Sequence, residues 1–142
     1  MKLVDVNLLI YAVNRDAPEH RAAKRWFESA VSGAESIGIA WVVVLAFLRI
    51  TTRPGILQRP LAQEAAIDYI HEWLGLPNVE LVVPGDAHWP ILSRLLRASG
   101  TLGNLTSDAH LAALALEIGA DVYSADYDFQ RFQGINHVNP LR

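Results

Sequence analysis

Two hydrophobic periods alternate along the chain. Short runs rich in β-branched residues, KLVDV at the start, then SIGIA, VELVV, ADVYSA and a weaker INHVN, have the length and composition of strands. Between them the apolar residues recur at every third or fourth position, which predicts helices over residues 7–13, 18–31, 41–51, 61–74, 86–99 and 107–118. The second of these is the clearest, with Ala22, Ala23, Trp26, Phe27 and Ala30 on one face and charges between them. Asp16, ahead of Ala17 and Pro18, is its expected start, and Gly119 after LALALEI is the expected stop of the last helix. The aromatics of WFESAV and IDYIHEWL exceed what a solvated helix face requires, so these helices are a candidate partner surface and motivate the expectation of a dimer.

Strands alternating with helices predict an α/β fold with a parallel sheet covered on both faces, in one domain spanning residues 1–142. Ligands of such sheets sit beyond the carboxyl ends of the strands. The acids found there are therefore the first candidates for chemistry. Asp5 interrupts the apolar run of the first strand, and Asn7 follows two residues on. ADVYSAD ends in Asp126, followed by Tyr127 and Asp128, and the loop TLGNLTSD delivers Asp108 to the first turn of the sixth helix.

A carboxylate in an apolar strand is costly unless it is paired, hydrogen-bonded or bound to a metal. Taken singly, Asp108 also fits a first-turn acid with Thr106 or Ser107 as cap, and Asp126 and Asp128 fit caps of the DFQRF turn. Convergence of three segments is the stronger signal. Crowded carboxylates cannot all ionise without a counter-charge, and magnesium or manganese supplies one while leaving positions for phosphate oxygens. The pattern thus points to metal-assisted phosphodiester chemistry. There is no GxSxG elbow. His20, His71, His88, His110 and His137 stand in no zinc-binding spacing, and His110, two helical residues past Asp108, should point away from it.

With 142 residues, 51% of them hydrophobic, the chain can bury a substantial core. The absence of cysteine excludes disulfides, thiolate nucleophiles and cysteine-bound zinc, and suits a reducing compartment. With no signal-peptide pattern and no apolar run of membrane-spanning length, a cytoplasmic protein without membrane contact is expected. A net charge of -3 disfavours nonspecific binding to a polyanion. Arg49, Arg53 and Arg59 nevertheless share one short segment, which can be a local phosphate patch or a solvated face.

LVDVNLLIYA, AFLRITTRPG and TSDAHLAALALEIGADVYSADYDF, in that order, resemble the PIN-domain ribonucleases, and most closely the VapC-type toxins of type II toxin–antitoxin pairs. The resemblance covers nearly the whole chain. It implies a three-layer α/β/α sandwich and a Mg2+- or Mn2+-dependent endoribonuclease that hydrolyses RNA phosphodiester bonds. It also implies Asp5, Asp108 and Asp126 as catalytic acids, Asp5 and Asp108 at the metal, and Asn7, Arg49, Ser124 and Asp128 as accessories. The implied partners are an RNA such as tRNA or rRNA, a VapB-type antitoxin whose basic side chain enters the acidic pocket, and a second copy of the chain.

One position departs from the family pattern. Where relatives carry glutamate in a context like AEFLR, this chain reads LAFLR, with Ala46 in place of the acid. Three readings stay open: a site that works with the remaining acids, which the intact LAFLRITTRPG favours, an inactivated enzyme, or an acid supplied elsewhere. A PIN-like module that binds RNA or protein without cleavage is the alternative from another class. Helical spacing places Ala46 and Arg49 on one face, expected to look into the pocket.

Overall fold

The computed structural model describes residues 1–100 and 103–142, apart from the side chain of Asn104. Strands β1 (Lys2–Val4), β2 (Ile37–Ala40), β3 (Val79–Val82), β4 (Asp121–Tyr123) and β5 (His137–Val138) form one sheet in the order β3-β2-β1-β4-β5. All four pairings are parallel, and Lys2 lies opposite both Ile37 and Asp121. Helices α1 (Val6–Val13), α2 (His20–Ser32), α3 (Trp41–Thr52), α4 (Gln63–Leu74), α5 (His88–Ser99) and α6 (Thr106–Ile118) complete the doubly wound layout. The α/β/α sandwich with a central parallel sheet is therefore as the sequence predicts.

The first strand of the chain is the central one. Leu3 and Val4 of β1, Ile37 and Ile39 of β2 and Val122 of β4 are wholly buried, as expected of strands covered on both faces. Gly38 allows the close approach at the centre of β2, since a Cβ there would meet Met1 Sδ and Val82 Cγ2 at 2.8 Å. Gly119 ends α6 in the left-handed conformation, with φ of 70°, and its N–H donates to the Ala115 carbonyl.

Several expectations need correction. The strand read as KLVDV ends at Val4: Asp5 still donates its N–H to the Tyr123 carbonyl at 2.9 Å, while its side chain already caps α1, and ADVYSA stops at Tyr123. Asp16 does not start α2. It accepts a two-pronged bond from Arg59 (Nη2 to Oδ1 2.8 Å, Nε to Oδ2 3.1 Å), which ties the loop before α2 to the loop before α4. That pairing also removes Arg59 from any joint phosphate patch with Arg49 and Arg53. Neither Thr106 nor Ser107 caps α6: the cap position is Leu105, and the Thr106 hydroxyl donates back to the Gly103 carbonyl at 2.9 Å.

The aromatic surplus belongs to the core. Phe27 and Trp73 are each 6% exposed, and Trp73 meets Phe27 and Phe47 edge-to-face with centroids 5.4 and 5.0 Å apart. These rings join α2, α3 and α4, so they provide no argument for a dimer. Among the described residues no helix is long and apolar enough to cross a membrane.

Candidate active site

The strand order reverses at β1, so the chain leaves β1 and β4 in different directions and a crevice opens between their carboxyl ends. Asp5 stands at one lip and Ser124 and Asp126 at the other. Asp5 has extended backbone angles, φ -77° and ψ 155°, and its Oδ1 accepts the Val6 N–H at 2.8 Å as N-cap of α1. Its Oδ2 accepts the Ser124 hydroxyl at 2.7 Å and the Asn7 amide at 3.2 Å. Asn7 also donates to Ser124 Oγ at 3.1 Å and accepts the Ala125 N–H at 3.3 Å. The Asp126 N–H donates to Ser124 Oγ at 2.9 Å, and Asp126 Oδ1 accepts the Asp128 N–H at 2.9 Å, capping a short 3-10 turn over Tyr127–Arg131.

This network gives the buried acid of the first strand its partners. Burial still pushes the Asp5 carboxyl up, against the lowering effect of the Ser124 and Val6 donors, and the Asp126 charge adds to the rise. Asp108 enters from the first turn of α6. Its carboxyl is pushed up to about 7, first by burial and then by the charges of Asp5, Asp126 and Asp128.

Carboxylate oxygens of Asp108, Asp126 and Asp128 lie within 4.8 Å of one another. The three are half-buried, offer hard oxygen donors only, and raise the energy of ionising Asp108, so the set fits a hard divalent cation. Asp5 is not one of that group of three: each of its oxygens accepts at least one protein donor. Asp128, a neighbour by sequence, enters the group directly.

A recess beside the acids is lined by Asp5, Asp108, Ser107, Ala46, Arg49 and apolar side chains that include Val42 and Leu111. Position 46 therefore faces the site, one turn before Arg49, as its helical spacing predicts. Arg49 is exposed and, among the described residues, has no carboxylate within 4.0 Å, so it does not pair with a site acid. Ser107, beside Asp108 on this wall, was not singled out from the sequence, where only its possible capping role was visible.

The helix that carries Asp108 is braced from its other side. His110 Nδ1 lies 2.9 Å from His88 Nε2 of α5, and burial, followed by the His88 charge, holds the His110 pKa down. Glu117 Oε1 and Oε2 accept the Gly85 and Ala87 N–H groups at 3.0 and 3.2 Å, just ahead of α5. His110 thus points away from Asp108, toward packing.

A doubly wound sheet with carboxylates gathered at its switch point is the layout of a protein that uses a divalent metal for phosphoryl chemistry. Residues 2–135 match the PIN domain family. The chain is 48% identical over 140 residues to ribonuclease VapC37 of Mycobacterium tuberculosis, spanning 99% of this chain and 97% of that protein. It is 42% identical over 142 residues to ribonuclease VapC33 of the same species, spanning 100% and 99%. Its fold is similar to the structure of VapBC-1 from nontypeable Haemophilus influenzae, with a TM-score of 0.71, 16% identity, and 99% and 98% of the two chains covered. The chain belongs to the PIN-domain family and, within it, to the VapC ribonucleases.

Proposed function

We propose that Asp108, Asp126 and Asp128 hold a magnesium or manganese ion, backed by the charge of Asp5, and that this centre cuts RNA as the toxin of a type II toxin–antitoxin pair. The observation that carries the reading is the approach of those three carboxylates within 4.8 Å at the switch point, with Asp5 close enough to raise the Asp108 pKa. When bound, the ion supplies Lewis-acid stabilisation of the phosphate and lowers the pKa of the attacking water.

The chain's own residues do the positioning. Asn7 and the Ser124 hydroxyl fix Asp5, and Ser124 Oγ in turn holds the Asp126 backbone, so both lips of the crevice keep one separation. Arg49, unpaired on α3 and lining the same recess as Asp108, is placed to bind a substrate phosphate. Ala46 leaves the helix α3 wall without an acid, but three clustered carboxylates remain, which supports a working site.

The substrate is a structured RNA such as tRNA or rRNA, and the setting is the cytoplasm. A VapB-type antitoxin places a basic side chain among the acids. The chain works as a homodimer, for which Trp41 and Leu45 on α3, 50% and 58% exposed, and Trp89 on α5, 67% exposed, supply uncovered apolar area.

Purified protein incubated with tRNA and rRNA tests the reading. Cleavage should require Mg2+ or Mn2+, stop in chelator, and fall by more than about 100-fold in Asp108→Asn, because even outer-shell partners of a metal are worth about 10- to 100-fold. Cleavage that survives both chelation and Asp108→Asn would contradict it.

A further inference from the structure

RNA faces an electrostatic obstacle at this site. The chain carries a net charge of -3, and four carboxylates crowd the cutting position. Attraction for a polyanion must come from the surface that borders the acids. That surface is distinctive on one side. Tyr127 lies between Asp126 and Asp128 and is 45% exposed. Its ring is held rather than loose: it meets His137 edge-on with centroids 5.7 Å apart, and its hydroxyl accepts the Asn139 amide at 3.3 Å. His137 is itself fixed to the Ser124 carbonyl at 2.9 Å, so the ring is tied to the strand that carries the site.

Arginines continue from there. The Arg142 guanidinium lies 5.6 Å from the centroid of the Tyr127 ring. Arg142 and Arg25 line one surface recess, and Arg25, Arg21 and Arg15 line the next. Arg21 and Arg25 are one helical turn apart on α2 and share a face. Among the described residues none of these four arginines has a carboxylate within 4.0 Å, whereas Arg59, Arg131 and Lys24 are paired with Asp16, Asp128 and Glu28.

We propose that single-stranded RNA runs from the acid cluster over Tyr127, on which one base stacks, and along Arg142, Arg25, Arg21 and Arg15, which hold its phosphates. This rests on the ribonuclease reading and adds the path of the strand. A fixed aromatic face followed by a line of unpaired cations is what a single strand needs, since every base has a stacking face and its backbone carries regular charge. Arginine suits the phosphates because its planar fork binds them with two bonds. An acidic protein segment would match the cations alone. The start of the strip, between two site acids, favours RNA.

The test uses the full chain and a labelled tRNA, whose loops present single-stranded segments, with binding followed by anisotropy in chelator and cleavage followed in Mn2+. The double variant Arg25→Gln/Arg142→Gln should raise Kd and KM about ten-fold, and lower the slope of log affinity against log salt by about 1.4, at about 0.7 for each lost phosphate contact on a single strand. The effect should lie in KM, with kcat at saturating RNA held within about two-fold. Tyr127→Ala should weaken binding by more than about five-fold, and Tyr127→Phe should restore it, as stacking requires and a role for the hydroxyl does not. Unchanged Kd and salt slope in the double variant, loss in kcat instead of KM, or a Phe variant as weak as the Ala variant would each overturn the strip. So would a double variant that keeps RNA affinity and loses binding to the antitoxin. Failure of the underlying reading shows separately, as wild-type protein that binds RNA and does not cut it.

Discussion

Asp5 joins two roles at one carboxyl group. One oxygen caps a helix, and the other gathers the two donors that align the opposite lip of the crevice. Its burial raises the cost of its charge. Asparagine in its place keeps the cap and removes the charge but turns an NH2 toward the Asn7 and Ser124 donors, so Asp5→Asn should fold with stability within about 1 kcal/mol of wild type, and lose cleavage. Asp5→Ala should lose about 1 kcal/mol, since the Val6 N–H then lacks its cap. Urea denaturation of the three proteins checks both, and insoluble Asp5→Asn would make Asp5 a structural residue. The sequence could show Asp5 as an anomaly in an apolar run. It could not show that Asp126 is both a turn cap and a member of the acid group, since spacing offers these as rivals and only the fold lets one side chain do both.

Among the elements, α3 is the one that distinguishes this chain from the expected family pattern. It presents Ala46 and Arg49 to the recess that holds Asp5 and Asp108, and with no acid at 46 the pocket carries less negative charge. Ala46→Glu should therefore tighten Mn2+ binding by about ten-fold, because ligand charge sets affinity for hard cations. Isothermal calorimetry on both proteins decides it, and equal affinities would mean that position 46 does not sense the ion. Element type was readable throughout, because the change of period between strands and helices is a local property. Element ends were not. Asp5 and Asp16 could each extend, end or start an element, and what decided them was a distant partner, Ser124 for the first and Arg59 for the second. The aromatics of α2 and α4 turn on the same point: a ring buried against another helix and a ring facing a partner have one sequence signature.

At the scale of the molecule, the acid group sets a pH dependence. An acid whose folded pKa lies above its unfolded value binds more protons folded than unfolded. Its stabilising contribution is complete below the unfolded value and is lost as pH rises through about 7, the position of Asp108. The loss from Asp108 runs between its unfolded value and about pH 7. His110, held below the ordinary histidine range, acts in the opposite sense at lower pH, so the last part of the loss is the part that shows unopposed. In chelator, Tm should fall from about pH 6.5 to about pH 8, and Asp108→Asn should flatten the fall. Mn2+ should raise Tm most at the upper end, by binding the folded chain alone. A Tm in chelator that holds or rises over this interval would contradict the assignment.

The central place of β1 has a consequence for the life of the protein. The strand made first is clasped by β2 on one side, but its other neighbour, β4, begins only at Asp121. Ser124, Asp126 and Asp128 come later still. While a ribosome is extending this chain, one flank of β1 is bare and Asp5 has no Ser124 to meet. A fragment released early carries a lone acid rather than a group. The cutting centre cannot assemble until β4 and the turn after it exist, so a ribosome must translate past Asp128 before its product can attack RNA.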